Sequence, residues 1–264
     1  MRRRAGLLFF IAAGACAIQL GAQAAGPADP RRPGLAFMSP ALQALQLDDS
    51  QNPAQLWIQD GQALWTRQPA DSYGKPTGRA CAGCHAEGSQ RGMATRYPAF
   101  DATSGRPLTL AGRIDQCRQR HQQAAPQAAD GVEVLALSAY LAQASRGLAL
   151  APPEDPRLGL WQAQGQRLWQ LRMGQINLSC SQCHDQHAGA KLGGAVIPQG
   201  HPTGYPTYRL EWQALGSLQR RMRACLVGVR AEPFTPSADE WLALEAYLAK
   251  RAAGMDVEGP AVRP

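Results

Sequence analysis

Aromatic and aliphatic residues fall at helical spacing twice along this chain, in nearly the same order. Trp57, Leu64 and Trp65 stand at i, i+7 and i+8, which predicts a helix with an aromatic face. Leu135-Ala136-Leu137-Ser138-Ala139-Tyr140-Leu141-Ala142 predicts a second, amphipathic helix farther on. Both patterns return. Leu56-Trp57 and Gly61-Gln62-Ala63-Leu64-Trp65 recur as Leu160-Trp161 and Gly165-Gln166-Arg167-Leu168-Trp169, 104 residues later. The second stretch is echoed by Leu242-Ala243-Leu244-Glu245-Ala246-Tyr247-Leu248-Ala249. Between the helices, Tyr97-Pro98 matches Tyr205-Pro206, and Arg113 with Cys117 matches Arg221 with Cys225, both at an offset of 108. A fixed order of matched segments reads as one ancestral unit used twice.

The run Ala151-Pro152-Pro153-Glu154-Asp155-Pro156 disfavours helix and separates the copies. The expected organisation is therefore a leader over residues 1–24, a polar lead-in over 25–50, a first unit over 51–150 and a second over 151–264. The fold expected is mainly α, two tandem domains related by internal duplication.

Chemistry enters with Cys81-Ala82-Gly83-Cys84-His85 and Cys180-Ser181-Gln182-Cys183-His184. Two thiols and an adjacent imidazole at this spacing suit covalent haem attachment, with thioether bonds from the cysteines and proximal ligation of iron by the histidine. One such motif arises by chance with some frequency; two, each in the same place of a repeat, point to a dihaem c-type cytochrome. The order of helix, haem motif and closing helix is that of a small cytochrome c domain. Two covalently bound haem c groups are expected, held by Cys81 and Cys84 and by Cys180 and Cys183, with His85 and His184 on the irons.

Charge narrows the class. The net charge of +7 includes Arg2, Arg3 and Arg4, so the chain beyond the leader carries +4, too mild to argue for nucleic acid. Those arginines, the apolar Ala5–Ile18 stretch and Ala22-Gln23-Ala24 read as a cleaved export signal. The apolar run falls short of the roughly 18 to 20 residues of a membrane span, so no stable membrane anchor is expected. Cys16 lacks the bulky aliphatic residue usual before a lipidated cysteine. A periplasmic location, where thiol oxidation and haem attachment are supported, is expected.

Of the cysteines beyond the leader, Cys117 and Cys225 are left over. A disulfide between them is one reading, but equivalent positions in two copies more naturally do equivalent jobs, each as the distal ligand of its own haem. In the first copy Met93 is eight residues beyond His85, whereas Cys117 is 32 beyond with His121 as rival. In the second, Cys225 is 41 beyond His184 and Met222 is 38 beyond, so spacing does not choose; the alignment of the copies selects Cys225. On a helix, Arg221 would sit one turn before Cys225, where a cation favours thiolate and attracts an anionic substrate. The second copy also holds nine extra residues within 186–204, including His187, Lys191 and His201, read either as a surface loop or as a functional rim to the second haem.

Gly204-Tyr205-Pro206-Thr207-Tyr208-Arg209-Leu210, Leu215-Gly216-Ser217-Leu218 with Arg220-Arg221, and Cys225 through Pro233 resemble the SoxA family of bacterial thiosulfate oxidation. The resemblance implies a dihaem subunit paired with a monohaem c-type cytochrome of SoxX type. It implies action on a SoxYZ-like sulfur carrier, oxidatively joining thiosulfate to the carrier cysteine as an L-cysteine S-thiosulfotransferase. It further implies Cys117 and Cys225 as iron ligands, Cys225 as the catalytic residue, often a persulfide in this family, and Arg221 as the thiosulfate-binding cation. A non-catalytic dihaem electron carrier and a tetrathionate-forming thiosulfate dehydrogenase are the alternatives.

Overall fold

A computed structural model describes residues 29–264; the leader read over 1–24 lies outside the described residues. A short 3-10 turn at Gly34–Phe37 leads into α1 (Pro40–Leu47), where Ser39 caps the helix by accepting from the Leu42 N–H. The first copy then runs α2 (Gln55–Thr66), the haem motif, the hairpin β1 (Ala99–Asp101) and β2 (Arg106–Leu108), α3 (Leu110–Gln122) and α4 (Val132–Ala144). The second repeats the order with α5 (Leu158–Gln170), the second motif and a small hairpin of β3 (Lys191–Leu192) and β4 (Ala195–Val196). It continues as β5 (Thr207–Arg209), β6 (Ala214–Gly216), α6 (Leu218–Gly228), α7 (Asp239–Arg251) and β7 (Ala261–Arg263). The β3–β4 hairpin lies in the nine-residue excess and has no counterpart in the first copy. Hairpin and following helix keep the offset of 108 read from the sequence, since β1 and β5, β2 and β6, and α3 and α6 all begin 108 residues apart.

In each copy the aromatic helix packs across the closing helix, α2 on α4 and α5 on α7, and a glycine sits at the crossing. A Cβ on Gly61 would come within 2.8 Å of the Tyr140 Cβ and closer still to the Ala136 carbonyl. On Gly165 it would come within 2.6 Å of the Tyr247 Cβ and closer still to the Ala243 carbonyl. Backbones meet at these points, and only the absence of a side chain permits it. Around the crossings lie Trp65, Ile114, Val134, Leu137 and Leu141 in the first copy, and Leu226, Trp241 and Leu244 in the second.

The amphipathic pattern expected for the closing helix holds for α7, whereas α4 buries every residue from Val134 to Ala139. The reason is the junction between copies: Leu135 and Ala139 join Ala54 and Ile58 of the first copy in a second cluster that Leu215 and Tyr208 of the second copy close. Behind α4 and α7 the chain ends pair reciprocally. Leu150 N–H donates to Met255 O and Gly254 N–H to Leu150 O, both at 2.8 Å, while Gly147 N–H donates to Val257 O at 2.9 Å. Residues 31–264 thus form one compact unit.

The lead-in straps onto the end of the second copy. Arg31 donates to the carbonyls of Arg251 (3.1 Å) and Ala253 (2.9 Å), the Leu35 N–H donates to Glu258 at 2.7 Å, and Gln46 accepts from the Val262 N–H at 3.1 Å. β7, so tethered, lies parallel to β5. Among the described residues no helix is long and apolar enough to cross a membrane.

Candidate haem and sulfur site

A single tight turn gathers each attachment motif. At the first, the N–H groups of Cys84 and His85 both donate to Cys81 O, at 3.0 and 2.9 Å, which draws the two thiols and the imidazole to one side. At the second, Gln182–Gln186 forms a π-helical turn, and Ser179 precedes it with its backbone N–H donating to Gln182 Oε1 at 2.9 Å. All six described cysteines are unbonded thiols.

Behind each proximal histidine stands the same pair of aromatic rings, a relation that the sequence repeats contained but did not reveal. Trp65 lies 5.3 Å from His85 at 29° and 5.9 Å from Tyr140. Trp169 lies 5.5 Å from His184 at 31° and 6.1 Å from Tyr247. The helix crossing therefore positions the tryptophan that walls the histidine.

The second proximal site has three further supports. His184 Nδ1 is 2.7 Å from Pro198 O, which fixes that nitrogen as the donor and leaves Nε2 for iron. Burial lowers the pKa of His184, keeping the ring neutral, against the opposing effect of the Pro198 carbonyl. Asp185 accepts from Trp169 Nε1 at 2.8 Å and pairs with Arg251, whose guanidinium lies 5.1 Å over the Trp169 ring. In the first copy Ala86 and Ala144 stand at the positions of Asp185 and Arg251, and among the described residues the His85 ring has no hydrogen-bond partner.

The extra segment supplies much of this support. Strand β3, with Lys191, is exposed; the segment after β4 carries Pro198 and then Gly200, at φ +74°, where a Cβ would stand 2.8 Å from the Trp169 ring and 3.2 Å from His184. One part of 186–204 is thus surface and another packs against the His184 side of the motif. His187 Nδ1 lies 2.6 Å from Gln182 O, on the flank of the motif, and His201 is buried.

α3 and α6 bring the remaining cysteines to the motifs. Burial pushes up the Cys81 thiol, and the charge of Cys117 acts on it in the same direction. Cys180 is pushed up to about 11 by burial, with Cys225 the next contributor. Each leftover cysteine thus faces the motif of its own copy rather than the other cysteine. The rival ligands have other surroundings: Met93 packs against the core of Trp65 and Ile114, Met222 packs against Leu226 and Trp241, and His121 is exposed.

Arg113 and Arg221 occupy equivalent turns but differ in company. Arg113 pairs with Asp101 at 3.5 Å. The equivalent of Asp101 is Arg209, and among the described residues Arg221 has no ion-pair partner. The Arg221 charge instead acts on His184 and Tyr205. Tyr205, pushed up to about 12 by burial, also lies within electrostatic reach of Cys225. Sequence reasoning used Tyr205 only as a marker of the repeat; its place beside Arg221 and Cys225 depends on how the loop folds back over α6.

Unbonded thiols in tight turns, an imidazole walled by tryptophan and a further thiol brought near together fit a covalently attached haem at each motif. The SoxA/TsdA cytochrome c domain family matches residues 60–150 and 164–257. A SoxA subunit of L-cysteine S-thiosulfotransferase from Rhodovulum sulfidophilum is 33% identical over 89% of this chain and 81% of its own length. This chain belongs to the SoxA family. Another SoxA relative, from Pseudaminobacter salicylatoxidans, is 32% identical over 90% of this chain and 82% of its own. A chain in the crystal structure of SoxXA from P. pantotrophus superposes with a TM-score of 0.81 at 27% identity, covering 89% of this chain and 87% of that one. The two cytochrome c domains carry covalently bound haem c, and the fold is mainly α, as the sequence indicated.

Proposed function

We propose that this SoxA-family chain is the dihaem subunit of a periplasmic L-cysteine S-thiosulfotransferase, exported by the leader at 1–24 and paired with a SoxX-like monohaem cytochrome. Residues 51–150 form a relaying or structural haem domain, and 151–264 the catalytic one. His85 and Cys117 ligate the first iron, and His184 and Cys225 the second. The reaction joins thiosulfate to a cysteine of a SoxYZ-like carrier: carrier thiol plus thiosulfate gives the carrier S-thiosulfonate, one proton and two electrons. When bound, the haems would supply one-electron acceptors for those electrons, which would go on to c-type cytochromes.

The observation that carries this reading is Arg221, half-buried and without an ion-pair partner beside Cys225 and His184. A desolvated guanidinium is a fork for a divalent oxyanion, and thiosulfate needs its charge offset before its outer sulfur can approach a thiolate. Arg221 holds the sulfonate end and directs the outer sulfur toward Cys225. A bond forms between that sulfur and the Cys225 sulfur as two electrons leave. The carrier thiolate then attacks the outer sulfur, breaks its bond to Cys225 and departs as the S-thiosulfonate. Tyr205, whose raised pKa keeps the phenol protonated, walls the site on the loop side.

Replacement of Cys225 by Met tests the assignment in the haem-loaded complex with purified carrier. Coupling of thiosulfate to the carrier should be lost while both haems remain attached by mass. Coupling at the wild-type rate in Cys225→Met would exclude covalent participation, and free tetrathionate as the only product of the wild type would exclude the transferase reading.

A further inference from the structure

The helix that carries Arg221 and Cys225 is held at its first turn by the other copy. Ser217 is the N-cap of α6, its hydroxyl accepting from the Arg220 N–H at 3.1 Å. Asp130, from the loop before α4 in the first copy, accepts from the Ser217 N–H at 2.8 Å and from the Ser217 hydroxyl at 2.9 Å. One turn on, Gln219 donates to Glu245 of α7 at 2.8 Å. The arrangement is not symmetric. The N-cap of α3, Thr109, accepts from the Gly112 N–H at 3.0 Å, and among the described residues no carboxylate of the second copy reaches it; Ser237 stands where Asp130 would be repeated.

Ser217 and Glu245 border a cavity of about 130 Å³ between the copies, lined also by their equivalents Thr109 and Ser138 and by the pair Tyr97 and Tyr205. We propose that Asp130 is a positioning residue for the reaction: the first copy holds the start of α6, and so sets where the second copy presents Arg221 and Cys225. The inference rests on the reading of Cys225 as the distal ligand of the second haem.

Lever arithmetic supports it. Cys225 lies eight residues beyond Ser217, about 12 Å along the helix at about 1.5 Å per residue. A tilt of about 5° at Ser217 therefore moves Cys225 by about 1 Å, against a tolerance of about 0.2 Å in metal–ligand distances. The far end of α6 is anchored within its own copy, where the Ala231 N–H donates to Leu226 O at 2.9 Å and the Gln175 N–H to Arg230 O at 3.2 Å. Asp130 also places a negative charge at the positive end of the helix.

The test uses the haem-loaded complex with three variants: Asp130→Ala, Asp130→Asn and Ser217→Gly. The low-spin thiolate signature of the second haem is read by electron paramagnetic resonance, with the signature of the first haem as control for folding. In Asp130→Ala the second haem is expected to show a new low-spin or high-spin population, and kcat to fall roughly 10- to 100-fold with KM for thiosulfate little changed. Asp130→Asn, which keeps the acceptor without the charge, should recover most of the native signal. Ser217→Gly retains a tolerated cap residue but removes the hydroxyl donor, and should change the same signal even if Asp130→Ala does not fold. An unaltered second-haem signature in folded Asp130→Ala or in Ser217→Gly overturns the proposal. A wild-type protein without that signature would instead overturn the ligand assignment on which it rests.

Discussion

The two haem copies share a frame and differ in how each residue near the iron is occupied. Both cross two helices at a glycine, back the proximal histidine with tryptophan and tyrosine, and bring a cysteine in on the helix after the hairpin. In the first copy the cation near that cysteine is neutralised by Asp101; in the second Arg209 stands in its place, and Arg221 is left with its charge unspent. The histidine side diverges in the opposite sense: among the described residues the His85 ring makes no hydrogen bond, whereas the His184 ring is held by Pro198 and its tryptophan wall by Asp185 and Arg251. The two uses of the unit thus differ by a freed charge near the cysteine and a tightened histidine side in the second copy, while the common scaffold is kept.

The sameness of the copies is tested most severely at the crossings. Gly61→Ala and Gly165→Ala each drive a methyl into a facing carbonyl, and each should destabilise by several kcal/mol, on the order of 2–4, by thermal unfolding. A crossing that tolerated alanine would mean the two frames are not alike. The difference at the arginines is tested by transplanting the first-copy arrangement: Arg209→Asp gives Arg221 the partner that Arg113 has. KM for thiosulfate should rise about tenfold with haem content unchanged, the size of one charge-assisted contact.

Glu245 sharpens the comparison at the cavity, since its equivalent is Ser138. Burial, reinforced by the charge of Asp130 and opposed by Gln219, raises its pKa from 4.5 to about 7. The groups facing it there are Asp130, Tyr97 and Tyr205, none of them cationic. The folded protein therefore holds a proton that the unfolded chain has released, so this group favours folding less as pH rises from 4.5 to about 7 and levels off above. Glu245→Gln should remove that slope and be more stable than the wild type above pH 7 by about 1–3 kcal/mol, with the difference vanishing at acid pH. The smallest effect is expected at the proximal brace. Asp185→Asn leaves the Arg251 charge uncompensated near the second iron and should raise that haem's potential by tens of millivolts, without moving the first.

Much of the frame was legible in the chain itself. Cys-x-x-Cys-His motifs, helical periodicity and matched offsets are local patterns, so the attachment sites, the tandem mainly-α fold and the pairing of Cys117 with Cys225 as equivalents followed from residue order. The amphipathic reading of α4 failed because its second buried face depends on the other copy, and a helix cannot advertise a neighbour contributed from a distant segment. Tyr205 and Trp169 were visible as repeat markers, not as parts of a site.

The amino-acid sequence by itself determined which atoms bind haem and that the unit is used twice, since covalent spacing and helical period act over a few residues. Only the tertiary structure decided how the surroundings of the two motifs differ. Asp130 meets Ser217 across 87 residues, Arg251 meets Asp185 across 66, and Arg221 stays unpaired because the hairpin sets Arg209 where the first copy sets Asp101. The first of these contacts joins the two copies and the others lie within the second, but all depend on tertiary packing, where the burial of apolar faces fixes distances that no local pattern along the chain encodes.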